Sequence, residues 1–282
     1  MIKVAFFAEI LIEDFDGASR TMFQIINRIN PNNFSYLFIH GKGPSALREH
    51  KALRIPTLNS VLNKDYSISM PALGKEQLYT ALNDFQPDVI HISTPSLLGF
   101  FALRYAQRHN IPVISIYHTN FISYVPYYFR RFPALINPIQ RWMRGTLSKF
   151  YNSCDQVYVP SQSMVRQLKN FNVDENKLNL WQRGIDLSLF NPDKRDDTYM
   201  QRFTGNNKPC ILFASRLVWE KNLETLISIY SRLHKQGISH NFIIAGDGPA
   251  RAELERLMPE AIFLGRLDHQ ALAIVYASSD VF

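Results

Sequence analysis

The stretch Cys210–Pro249 leaves this chain few folds to choose from. It runs C-I-L-F-A-S-R-L-V-W-E-K-N, then an amphipathic segment, then N-F-I-I-A-G-D-G-P. Two short apolar runs separated by a helix-length amphipathic segment predict a parallel strand–helix–strand crossover. Parallel sheets gather their ligands at the carboxyl ends of the strands. At that edge the unit carries Arg216 and Lys221 in one loop and Gly246-Asp247-Gly248-Pro249 in another. Two cations and a helix N-terminus at one sheet edge predict a bound anion, most simply a phosphate.

The same alternation runs through the rest of the chain. Apolar runs at Ile2–Ala8, Ser35–His40, Val89–Ser93, Val113–Tyr117, Gln156–Val159 and Lys177–Trp181 predict strands. Arg54-Ile55-Pro56 predicts a further short strand. Helical spacing covers Ala18–Ile29, Pro71–Phe85, Leu97–Arg108, most of 120–151, and Gln162–Asn170, with Ser161 as its cap. The class is therefore α/β with parallel sheets. Ile185–Pro209, rich in Asp, Asn, Pro and Lys, breaks the rhythm and predicts a connection, with one short helix at Thr198–Phe203. A second unit follows: strands Cys210–Ala214, Asn241–Ala245 and Ala261–Leu264, and helices Leu223–Lys235, Ala250–Leu257 and Gln270–Ala277. Two Rossmann-like domains, 1–185 and 186–282, facing across a cleft are expected. Ser279-Asp280-Val281-Phe282 looks like the opening of another strand, so the second domain is expected to be incomplete and the chain a fragment with little activity alone.

Composition narrows the partners. The net charge of +7 favours an anionic one. The two cysteines, Cys154 and Cys210, are too few for a disulfide framework or a zinc site and predict a reducing compartment. The N-terminal run has no basic leader or cleavage site, and no window reaches the ~18 apolar residues of a membrane-spanning helix. A cytoplasmic protein is expected, with peripheral attachment to the inner membrane face open.

Several motifs together resemble one family. S-R-L-V-W-E-K-N, A-G-D-G-P, F-L-G-R-L and Y-A-S-S-D-V-F are similar to the donor half of the family 4 retaining glycosyltransferases of the GT-B fold. D-F-D-G-A-S-R-T, D-V-I-H-I-S-T-P, S-I-Y-H-T-N-F, V-P-S and W-Q-R-G-I-D-L-S-L-F-N-P resemble the other half in the same order. Y-H-T-N-F and the aromatic run after it resemble the branch of bacterial mannosyltransferases and plant-type sulfoquinovosyl lipid synthases.

The resemblance implies transfer of a hexose from a GDP- or UDP-linked nucleotide sugar, with no cofactor and no metal. It implies that Arg216 and Lys221 grip the donor diphosphate, that His118 contacts the transferred sugar, and that Gly246 lines the nucleotide pocket. It implies that main-chain groups at Leu264 and Gly265 face the base, and that Gly17, Arg183 and Gly184 lie on turns reaching the substrates. Each has a plainer reading: a solvated loop with a Glu220–Lys221 pair, an ordinary strand-to-helix turn, core side chains, a structural histidine. His91 is left structural. Gly17 is followed by Ala18 where many members of the family have a second glycine. No G-x-G-x-x-G fingerprint accompanies it, against a nicotinamide dehydrogenase. The family's second donor motif, two glutamates, would lie beyond Phe282.

Residues 120–151 form a separate expectation. From Val89 to Cys154 there is no Asp or Glu, while Arg104, Arg108, Arg130, Arg131, Arg141, Arg144 and Lys149 fall in that span. Tyr124, Tyr127, Tyr128 and Phe129 interleave with them. That mixture suits an anionic membrane or lipid acceptor, or else a basic face over buried aromatics. Nucleic acid is disfavoured, since no recognition motif accompanies the charge. Two competing readings are a non-catalytic GT-B-like nucleotide-sugar or membrane-binding protein, and a nucleotide-sugar epimerase, which lacks a convincing carboxylate set.

Overall fold

The computed structural model describes residues 1–13, 15–59, 67–118, 120–182 and 184–282. The chain divides into two compact units, Met1–Arg183 and Gly184–Phe282.

In the first unit, β1 (Ile2–Ile10) leads to α1 (Gly17–Ile26), β2 (Phe34–Lys42), β3 (Ala46–Leu47) and β4 (His50–Arg54). A hairpin of β5 (Thr57–Asn59) and β6 (Ser67–Ser69) precedes α2 (Lys75–Phe85), β7 (Val89–Ile92), α3 (Leu97–His109) and β8 (Val113–Ile116). Then come α4 (Val125–Tyr128), α5 (Pro133–Asn152), β9 (Gln156–Val159), α6 (Gln162–Asn170) and β10 (Leu178–Leu180). The sheet order is β10-β9-β8-β7-β1-β2-β4-β3, parallel except where β3 meets β4. Strand β1 is apolar on both faces because both are covered. Ala5 and Phe7 pack with Leu78 and Leu82 of α2 and Leu98 of α3, while Phe6 and Ala8 pack with Met22, Phe23 and Ile26 of α1. That double burial is what a parallel sheet with helices on both sides requires.

The chain builds outward from β1 through β2 and β4, then returns to lay β7 against the other side of β1. The carboxyl ends of β1 and β7 therefore flank the topological switch point, where open α/β sheets bind ligands.

The second unit repeats the plan: α7 (Asp197–Thr204), β11 (Cys210–Ala214), α8 (Leu223–Lys235), β12 (Asn241–Ala245), α9 (Arg251–Leu257), β13 (Ile262–Gly265) and α10 (His269–Ser278). The sheet order is β11-β12-β13, all parallel. On the free side of β11, Val281 makes a parallel bridge to Ile211, and the Leu212 N–H donates to the Val281 carbonyl at 2.8 Å. The expected strand opening at 279–282 is thus paired, and β11 is the switch point of this sheet. Asp280 secures it by accepting from the Cys210 N–H at 2.8 Å and facing Arg195 at 3.4 Å.

Several expected boundaries move. Helix α1 starts at Gly17 because the Asp16 carboxylate accepts from the Ser19 N–H. Helix α10 starts at His269 because Asp268 caps Ala271 in the same way. Helix α2 begins at Lys75, and Pro71–Gly74 form a turn instead. The strand expected at Arg54-Ile55-Pro56 lies earlier, at His50–Arg54, since proline has no N–H for a ladder. Cys154 sits in the bend before β9. Both cysteines are free and buried, and burial pushes the Cys154 thiol up to about 12, which leaves it unreactive.

Candidate active site

The carboxyl edge of the second sheet is a stack of loops in main-chain contact. After β11, the Ser215 N–H donates to Ala245 O at 3.0 Å and the Leu217 N–H to Asp247 O at 2.9 Å. The Ala250 N–H returns to Leu217 O at 3.0 Å. A Cβ on Gly246 would lie 1.8 Å from Ser215 O, and one on Gly248 would lie 2.5 Å from Leu217 O. Gly246 also has φ +137, which side-chain-bearing residues rarely adopt. The glycines are what let the Arg216 loop lie directly on the Gly-Asp-Gly-Pro turn. That turn is joined to β13 in its own right: the Gly246 N–H donates to Gly265 O at 2.7 Å. The β12–β13 register slips here, Ile244 pairing with Phe263 but Ala245 with Gly265. Gly265 follows the slip at φ +71. Leu264, skipped by the register, packs its side chain into the core with Leu212 and Val275, which leaves only its main chain for a ligand. Pro249 does not open α9; that helix begins at Arg251, and the proline stands in the turn before it.

Both cations lie on the first of these loops. Leu217, fully buried, anchors the loop and leaves the neighbouring Arg216 side chain 45% exposed. The Glu220–Lys221 pair of the plainer reading does not form among the described residues. A 3-10 turn at Trp219–Lys221 directs Glu220 to Arg216 instead, with 3.8 Å between Nη2 and Oε1. Lys221 is exposed at the end of that turn, and Asn222 at φ +58 opens α8. No side chain caps this helix, because the Asn222 Oδ1 accepts from the Thr225 hydroxyl at 2.9 Å. Helices α7 and α10 are capped by Asp196 and Asp268. An uncapped helix start between Lys221 and a switch-point strand is suited to an anion.

The first unit differs in charge at the equivalent place. A Cβ on Gly17 would meet nothing within 4 Å, so the loop after β1 is open. The start of α1, however, carries its own carboxylate: Asp16 accepts from the Ser19 N–H at 2.8 Å. His118 is half-buried two residues past β8 rather than at its last residue. His91 lies one strand away in β7, buried, its ring centroid 4.4 Å from that of Phe6 in an edge-to-face arrangement. Burial, with a smaller contribution from the charge of His118, pushes His91 down to about 3. Its Nε2 has no hydrogen-bond partner among the described residues. Gly184 has open space around it, and Arg183 lies outside the described residues.

The basic segment divides in two. The second half of α5 buries Leu147, Phe150 and Tyr151 in the core. Around its first half the apolar residues are bare: Phe132, Leu135 and Trp142 are exposed, as are Tyr127 and Tyr128 of α4. Arg130, Arg131, Arg141 and Arg144 lie among them and are also exposed. Among the described residues no helix is long and apolar enough to cross a membrane, and no cluster of three or more His, Cys, Asp or Glu could hold a metal.

Sequence reasoning missed one residue of this site. Arg251 was not among the expected site residues, yet a Cβ on Gly265 would lie 3.3 Å from its Nη1. The available signal was its spacing, four residues from both Asp247 and Glu255.

Comparisons with known proteins place the chain in a family. Residues 15–189 match the family model described as Glycosyltransferase Family 4, and residues 196–282 match that of Glycosyl transferases group 1. The GDP-mannose-dependent alpha-mannosyltransferase of Mycolicibacterium smegmatis is 27% identical over 286 residues, covering 100% of this chain and 72% of its own length. The sulfoquinovosyl transferase SQD2 of Arabidopsis thaliana is 35% identical over 204 residues, 70% of this chain and 38% of the other. The alpha-monoglucosyldiacylglycerol synthase of Streptococcus pneumoniae is 24% identical over 252 residues, 86% of this chain and 56% of the other. Among solved structures, the sucrose-phosphate synthase of Thermosynechococcus elongatus superposes with a TM-score of 0.71 at 16% identity, over 99% of this chain and 74% of that one.

Proposed function

The chain belongs to glycosyltransferase family 4, and we propose that it moves a hexose from a GDP- or UDP-linked donor to an acceptor, with retention at the anomeric carbon. As a GT-B glycosyltransferase it uses a nucleotide sugar. The observation that carries the finer reading is the edge of the second sheet, where Arg216, Lys221 and the uncapped start of α8 follow the switch-point strand β11. In this reading the second unit holds the donor. As the glycosidic bond breaks, negative charge grows on the leaving diphosphate. Arg216 offers it a planar fork, Lys221 a compact charge, and α8 its free N–H groups, all fixed before the reaction begins. The donor phosphate takes the acceptor hydroxyl's proton on the face that the leaving group vacates, so no carboxylate base is needed.

The first unit takes the acceptor side. In this reading His118 and the loop at Gly17 contribute to holding substrate on this unit. Arg183 and Gly184 are kept as candidate substrate contacts. A lipid acceptor is supported by the exposed Phe132, Leu135 and Trp142 among the arginines of 130–144, a composition that lies in an anionic lipid interface. A relative named as a glucosyldiacylglycerol synthase points the same way.

The test is a donor screen with GDP-mannose, UDP-glucose and UDP-galactose against diacylglycerol and glycolipid acceptors, read by product mass spectrometry. NMR of any glycoside then gives the anomeric configuration. An α-linked product from an α-linked donor is expected. A β-linked product would remove retention, and no glycoside or free nucleoside diphosphate from any donor would remove the reading.

A further inference from the structure

We infer that Arg251 forms the flat wall against which the nucleobase of the donor rests, and so sets how well the nucleoside is held. This rests on the reading of the Arg216–Lys221 edge as the diphosphate site. Strand β13 lies two places from β11 in the sheet, and its end is therefore roughly 10 Å from that edge. A nucleoside extending from a diphosphate at β11 along the row of strand ends reaches the end of β13. Gly265 is there, with φ +71 and no side chain. The space a Cβ would take lies 3.3 Å from Nη1 of Arg251.

The guanidinium is fixed from both sides. Its Nε donates to Glu255 Oε1 at 2.8 Å, and Nη1 lies 3.5 Å from Asp247 Oδ2. Asp247 is itself tied into the glycine turn, its Oδ1 accepting from the Gly248 N–H at 2.7 Å. Two carboxylates around one guanidinium leave the group with no surplus positive charge, so it is poorly suited to hold a phosphate. What remains is a held planar surface, one third exposed, and guanidinium planes stack on aromatic rings. The arrangement thus separates two tasks along one sheet edge: anion at β11, planar base at β13. Arg251 is a positioning residue here, since it touches the base and not the reacting atoms.

Calorimetric titration of the chain and its Arg251→Lys and Arg251→Ala variants with UDP, GDP and inorganic pyrophosphate tests this. Loss of a stacked guanidinium weakens binding of at least one nucleotide roughly tenfold. Arg251→Lys keeps the charge but loses the plane, and the loss is expected there too, with pyrophosphate binding unchanged in both variants. Unchanged nucleotide binding, or an equal loss for pyrophosphate, would overturn the inference. If the parent chain binds pyrophosphate but neither nucleotide, the base wall fails and the anion site stands. If it binds none of the three, the anion site fails and the base wall with it. Thermal melts of the variants, expected to match the parent because the ion pairs are at the surface, identify any loss caused by unfolding.

Discussion

A Cβ on Gly246 would lie 1.8 Å from the carbonyl oxygen of Ser215, well inside any contact distance. The Arg216 loop can lie on the second sheet only because that position has no side chain. Gly246→Ala must therefore lift the loop and also hold a strained φ. Its cost is expected to be about 2–5 kcal/mol, read as an earlier unfolding transition of the second unit in denaturant, with loss of nucleotide binding. Gly17→Ala is the control. Its Cβ meets nothing, so stability should change by less than about 0.5 kcal/mol. A Gly246→Ala variant as stable as Gly17→Ala would show that the two loops are not in contact.

The cations above that contact should separate stability from rate. Arg216 reaches Glu220 only at 3.8 Å and is half exposed, so the pair contributes about 0–1 kcal/mol to folding. Arg216→Ala and Lys221→Ala should leave the melting temperature almost unchanged. Each should lower the transfer rate about 10²–10³-fold, the usual cost of removing one preorganised donor to a developing charge. Steady-state rates with a saturating donor measure this. A fall in rate matched by an equal fall in melting temperature would assign these side chains to structure instead.

Much of this was legible because the elements that build the site are long, apolar and sharply bounded. Cys210–Ala214, Leu223–Lys235 and Asn241–Ala245 occupy the residues expected of them, since loops bearing Asn, Gly or Pro bracket each one. The β5–β6 hairpin was not legible. Its strands have three residues each and no alternating apolar pattern, and tertiary contact holds them: the Ser69 N–H donates to Glu9 Oε2 at 2.7 Å. The cationic loop could be placed from sequence, whereas the partner of Glu220 could not. Adjacent residues in a chain suggest a pair, but the 3-10 turn decides which side chain returns toward which. Arg251 was hidden for the same reason, because its role depends on the register slip that brings Gly265 beneath it.

The exposed apolar residues around α5 allow a test on membranes without touching the fold. Trp142 is 70% exposed and Phe132 63%, so replacing either with alanine removes little buried contact. Trp142→Ala and Phe132→Ala should reduce co-sedimentation with anionic vesicles severalfold while leaving the melting temperature unchanged. Arg141→Gln with Arg144→Gln should weaken binding by about 1 kcal/mol per charge and reduce its salt dependence. If the parent chain sediments with neither anionic nor neutral vesicles, these residues serve some other contact.

His91 ties the pH dependence of stability to the core beneath His118. Its folded pKa is held near 3, while in the unfolded chain it returns to about 6.5. Between those values the unfolded state binds the extra proton, so stability rises with pH across the window. The contribution is complete above about pH 6.5 and is lost as the pH falls toward 3, at up to about 1.4 kcal/mol per pH unit. His40, also buried and held below its ordinary value, acts with the same sign, so removing His91 should flatten the slope without abolishing it. His91→Leu keeps an apolar contact with Phe6 and removes the titrating group. In unfolding free energies measured in urea from pH 7 to pH 5, the parent should lose stability faster than the variant as the pH falls. The carboxylates titrate alike in both proteins and cancel in that difference. Parallel curves would mean that His91 takes up its proton as readily in the folded state as in the unfolded one.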